Sequence, residues 1–95
     1  MNRGDSNKNG LSGFAMTYSA YREIEMIPRS QVEGVSEAIL ELAHNPKPDR
    51  ACTLEDCRGC YYLESNGYYI LYHLSDKEDA LTVLGVLDGP DHTLH

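Results

Sequence analysis

The sequence predicts an α+β fold in which a short N-terminal strand and a two-helix hairpin precede a three-stranded antiparallel meander packed on the helices. Three observations carry this reading. Residues 31–44 repeat apolar side chains at helical spacing, residues 60–64 and 68–74 flank an Asn-Gly turn, and the links between the later strands are short. At 95 residues the chain supports one hydrophobic core, expected over 13–95 behind a flexible Gly/Asn/Ser-rich tail at 1–12.

Residues 13–18, Gly-Phe-Ala-Met-Thr-Tyr, read as the first strand, with Phe14, Met16 and Tyr18 on one face. Ala20, Tyr21, Ile24 and Ile27 then recur at helical spacing, and Pro28 ends that helix. Ser30 and Glu33 have the spacing of a capping box opening a second helix over 31–44. Val32, Val35, Ile39, Leu42 and Ala43 form its apolar stripe, which Leu40 widens, while Glu33, Glu37 and Glu41 form a solvated face. Asn45-Pro-Lys-Pro48 stops it, and 49–59 is a connector. Strands are expected at 60–64, 68–74 and 80–87, joined by Ser65-Asn-Gly67 and Ser75–Asp79. Alternation puts Tyr68, Ile70, Tyr72 and Leu74 on one side and Tyr69, Leu71 and His73 on the other.

Charge narrows the function classes. Eight Lys and Arg face 15 Asp and Glu, a formal charge of −7, and residues 14–95 alone stand at −8. Nucleic-acid binders place cations against phosphates, and the sequence has no basic cluster, so a nucleic-acid partner is not expected and a basic protein fits better. No apolar run approaches a membrane span, and the first residues lack the apolar core of a signal peptide. Three cysteines leave an odd thiol under any pairing, which favours a reduced, cytoplasmic protein.

Two constellations have chemical potential. Cys52, Cys57 and Cys60, with His73 as fourth donor, offer thiolate and imidazole of the kind that holds tetrahedral zinc. The second half of a zinc ribbon is absent, however, so core and loop cysteines are the favoured reading and no cofactor is expected. A redox role for Cys57-Arg-Gly-Cys60 lacks a surrounding βαβ pattern. Seven tyrosines give the second constellation: Tyr62 and Tyr69 should face away from Tyr61, Tyr68 and Tyr72, and so line either a partner-binding surface or simple cross-strand pairs.

The element order and several phrases resemble the RelE/ParE superfamily of toxin–antitoxin toxins. They are Tyr21-Arg-Glu-Ile24, Ala38–Ala43 followed by Asn45-Pro46, Arg58-Gly-Cys-Tyr61, Asn66–Tyr72 and Thr82–Val86, spread over about residues 14–92. The resemblance implies ribonuclease chemistry only if basic side chains on the open sheet face orient RNA and stabilise charge at the phosphate. Position by position those cations are missing. The places match Tyr62, Glu64 and Tyr69, a late arginine falls near Gly89, and a closing tyrosine falls near His95. Glu64 would repel the phosphate, and Tyr69, His92 and His95 remain the catalytic candidates of a divergent ribonuclease. ParE-type members act, as the family is known, by inhibiting DNA gyrase, and Val83–Gly89 looks closer to that branch. The resemblance therefore implies an antitoxin partner, with gyrase as a conceivable target and Tyr62, Glu64, Tyr69 and His73 as partner-binding residues. A stand-alone acidic regulatory or decoy module is the third reading.

Overall fold

Thr17 sets the first corner of the chain. The structure, a computed structural model, describes residues 13–89, so the tail expected at 1–12 and the histidines His92 and His95 lie outside the described residues. Gly13–Met16 form β1 and Tyr18–Glu25 form α1. Thr17 is extended, and its Oγ1 accepts from the Ala20 N–H at 3.1 Å. That cap turns the chain into the helix two residues before the apolar periodicity begins, so Tyr18 leaves the strand it was assigned to. The helix stops at Glu25, and Ile27 closes a further turn by donating to the Ile24 carbonyl at 3.1 Å.

Arg29–His44 form α2, and the expected capping box is absent. Pro28 is the N-cap residue, with no side-chain hydrogen bond; its carbonyl accepts from Gln31 and Val32 at 2.9 and 3.0 Å. Proline fixes φ near the helical value, so the turn nucleates at Pro28 and carries Ser30 inside the helix, where it has no cap to make. Val35, Ala38, Ile39 and Leu42 are buried, Val32 packs against them, and Glu33, Glu37 and Glu41 face solvent. Leu40, expected to widen the apolar stripe, is instead 63% exposed.

The connector holds a two-residue strand, Cys52–Thr53 (β2), followed by Cys60–Ser65 (β3), Tyr68–Leu74 (β4) and Ala80–Asp88 (β5). The sheet order is β1-β5-β4-β3-β2; β1 runs parallel to β5 and the remaining pairs are antiparallel. Asn66 and Gly67 both take positive φ, 54° and 84°, as a two-residue hairpin turn demands. One irregularity matters for facing. Leu71 pairs Gly85 while Tyr72 pairs Val83, so Leu84 is an extra residue that bulges out of β5. The alternation resets there: Leu81 and Val83 enter the core, then Val86.

Both helices pack on one sheet face, α1 against β5 and α2 against β3. Tyr72, Leu42, Leu63, Ile70, Leu81, Val35 and Val83 are the largest fully buried side chains between the layers. Each contributes about 1.5–3 kcal/mol on removal from water. The opposite sheet face carries no helix among the described residues, and no described helix is long and apolar enough to cross a membrane.

Candidate functional site

Strand alternation determines what stands on the sheet face turned away from the described helices. On β3, Tyr61 and Leu63 point to the helices, so Tyr62 and Glu64 point away; on β4, Tyr68, Ile70, Tyr72 and Leu74 are buried, which leaves Tyr69, Leu71 and His73 outward. Register brings these sets together. Glu64 sits opposite Tyr69, Tyr62 opposite Leu71, and Cys60 opposite His73. The rings of Tyr62 and Tyr69 meet edge to face, centroids 5.6 Å apart at 85°, the arrangement an aromatic quadrupole favours. Tyr61 behaves differently, lying against the core in a stack with Tyr72 at 5.5 Å.

The two outward tyrosines form a ridge between two concavities. One, of about 340 Å³, is walled by Leu54, Tyr62, Tyr69 and Leu71 and is mainly apolar. The other, of about 480 Å³, is lined by Arg50, Cys52, Tyr62, Glu64, Asn66 and Tyr69. Arg50 is the cation among these lining residues, and its guanidinium is held at 3.0 Å by Glu41 of α2. Glu64 makes no ion pair among the described residues. Lys47, near Tyr61, is bound to Glu78 at 2.9 Å. The Tyr62 hydroxyl is pushed above the usual tyrosine range, first by its hydrogen bond with the Cys52 thiol, then by the charge of that thiol when ionised, by burial and by Tyr69. Across the neutral range Tyr62 therefore presents a phenol rather than a phenolate.

The cysteines are arranged otherwise than expected. Cys57 and Cys60 are joined in a disulfide, not held as reduced thiols, while Cys52 is free, exposed and opposite Tyr62 on β2. Among the described residues no group of three or more His, Cys, Asp or Glu side chains is placed to hold a metal, so Cys52, Cys57, Cys60 and His73 do not converge. What the Cys57–Cys60 loop does is structural. It folds back through Leu54 N–H to Cys60 O at 3.0 Å and Cys60 N–H to Cys57 O at 3.1 Å, closing over Cys60 and setting Leu54 at the edge of the apolar concavity. Gly59, at φ +80°, lets this loop approach the His73 ring and the Leu74 carbonyl more closely than a side chain would permit.

No family model matches the sequence, and no curated protein matches it. Solved structures do. A chain of the archaeal RelE–RelB complex from Pyrococcus horikoshii superposes with TM-score 0.70 at 14% identity, over 82% of this chain and 94% of that one. The chain has the RelE toxin fold. A chain of the intact Escherichia coli RelBE complex gives TM-score 0.67 at 20% identity, covering 81% of this chain and 95% of its own. One from the Mycobacterium tuberculosis RelBE2 complex gives 0.57 at 19%, covering 80% and 95%.

On this RelE fold, the three strand positions where the resemblance implies cations, Tyr62, Glu64 and Tyr69, stand side by side on the open face. His73 shares that face but lies toward the Cys57–Cys60 loop and lines neither concavity. Two contributors escaped the sequence reading. Arg50 and Leu54 both come from the connector, and only the register of the two-residue β2 against Tyr61 and Tyr62 brings them to the ridge.

Proposed function

We propose that the chain is a toxin or toxin-derived protein of a toxin–antitoxin pair that acts by binding another protein and does not cut RNA. One observation carries this reading. Tyr62, Glu64 and Tyr69 stand on the sheet face where a RelE-like ribonuclease would need cations, and Arg50, the cation among the described residues lining their concavities, is already paired with Glu41. Among the described residues that line these concavities, a phosphate meets a carboxylate with no ion pair and no unpaired cation, so the charge that develops at a scissile phosphate would find no electrostatic support there. An antitoxin partner is supported by the RelE–RelB and RelBE complexes among the similar structures.

The test is expression of the chain in bacterial cells with growth and mRNA integrity followed together. Growth arrest with intact mRNA, relieved by co-expressing a neighbouring antitoxin reading frame, is the expected result. Topoisomerase assays with purified gyrase then decide whether that enzyme is the target. Cleavage of mRNA in the ribosome, lost in Tyr69→Phe or His95→Ala, would establish the divergent ribonuclease instead. Harmless expression with no antitoxin partner would leave the stand-alone binding module as the better account.

A further inference from the structure

We propose that the open sheet face is the docking site for a basic protein segment, which sets an aliphatic side chain in the Leu54–Tyr62–Tyr69–Leu71 concavity and a lysine or arginine beside Glu64. The proposal rests on the protein-binding reading above and gives the partner a chemistry. The two concavities share the Tyr62 and Tyr69 rings as a common wall, so a single segment crossing that ridge enters both. Their linings ask for different side chains. One wall set is two leucines and two phenol rings, which gain by excluding water and carry no formal charge to pair with a cation. The other holds Glu64, with Asn66 and Cys52 beside it.

Charge decides which segment fits. Glu41 neutralises Arg50 at 3.0 Å, whereas Glu64 has no ion-pair partner among the described residues, so the uncompensated charge at the ridge is negative. The ring faces of Tyr62 and Tyr69 attract a cation as well. At longer range, the −7 of the whole chain steers basic partners in and turns acidic ones away. Two other occupants meet the same field unfavourably. RNA would bring phosphates to Glu64, and a second copy would bring another −7.

The full chain is titrated by fluorescence anisotropy with a labelled synthetic peptide alternating lysine and leucine. Parallel titrations use a glutamate–leucine peptide, a lysine–serine peptide and a single-stranded RNA oligonucleotide. The lysine–leucine peptide should bind, and either replacement should weaken binding by about tenfold or more, the effect of losing one well-placed contact. Glu64→Lys should weaken it by a similar factor. Glu37→Lys, on the exposed face of α2, makes the same change in net charge away from the ridge and should leave affinity within about twofold. Circular dichroism confirms that both variants fold, and Glu64→Gln substitutes if Glu64→Lys does not. Equal losses in Glu64→Lys and Glu37→Lys overturn the proposal, because the attraction would then be general. Tight binding of the glutamate–leucine peptide or of the RNA overturns it too. Failure here with growth arrest and intact mRNA in cells removes the partner chemistry alone, whereas mRNA cleavage in cells removes the protein-binding reading beneath it.

Discussion

Tyr72 is fully buried between the layers, and its hydroxyl donates to the Pro46 carbonyl at 2.7 Å, tying the end of α2 to the middle of β4. Burial, followed by the nearby Tyr61, pushes its ionisation from 10.0 up to about 12. The folded state therefore favours the neutral phenol. Its stabilisation is complete below the unfolded value near pH 10 and is lost as pH rises toward about 12. Over that window the loss amounts to roughly 2–3 kcal/mol. Tyr72→Phe should cost about 1 kcal/mol at pH 7, for the hydrogen bond and the carbonyl left behind. Above pH 10 the variant should lose stability less steeply than the parent, and urea unfolding at pH 7 and pH 11 measures both effects. Gly34 makes a second residue-scale case. Alanine normally favours a helix interior over glycine by about 1 kcal/mol. Here the Asn66 side chain lies where the Cβ would go, while its Nδ2 donates to the Gln31 carbonyl at 3.3 Å. Gly34→Ala should therefore gain nothing or lose stability, and the propensity gain should reappear in an Asn66→Ala background, as a double-mutant cycle would register.

Among the elements, β5 has the least ordinary edge. β1 pairs with it only over Ala80–Val83, and beyond that point Thr17 and Glu23 of the α1 region take over. Thr17 gives its N–H to Val83 O at 3.0 Å and its hydroxyl to Leu84 O at 2.9 Å, while Glu23 accepts the Val86 N–H at 2.7 Å. An edge left with bare backbone groups invites pairing with other chains, so these contacts both seal the strand and fix α1 on it. Glu23→Ala should cost about 1–3 kcal/mol by stranding a part-buried donor, and Glu23→Gln should cost less. Faster amide exchange at Val86 in the alanine variant alone would identify the cause. This sealing was illegible in the sequence, because Glu23 and Val86 are separated by 63 positions and no local pattern links them. The same reason hid β2, whose two residues carry no periodicity, and hence Arg50 and Leu54. By contrast, the facing of Tyr62, Tyr69 and Tyr72 was readable, since strict alternation on both sides of Asn66-Gly67 leaves one register. The capping box failed for a physical reason too: Pro28 opens α2 before Ser30 can cap it.

At the scale of the molecule, fold and charge point to different chemistry. The backbone is that of RelE toxins, yet the chain carries −7, and the sheet face turned away from the described helices presents Glu64 beside the paired Tyr62 and Tyr69 rings. Phosphate binding draws its free energy largely from releasing counterions as Lys and Arg replace them, so affinity depends on how many cations a surface supplies. Arg50, bound to Glu41, supplies little. The chain should thus show no salt-dependent binding to single-stranded RNA, even at low ionic strength where such attraction is greatest. The converse experiment is the more demanding. Tyr62, Glu64 and Tyr69 all stand outward, so Tyr62→Lys, Glu64→Lys and Tyr69→Arg together can be accommodated with the core between the layers unchanged. The triple variant should acquire RNA binding whose log affinity falls with log salt by about 0.7 for each phosphate engaged. A triple variant that folds but gains no such dependence would mean that face geometry, not charge, separates this chain from an RNA-binding surface. Salt-dependent RNA binding by the unaltered chain would place its cations on a surface other than the one facing Tyr62 and Tyr69.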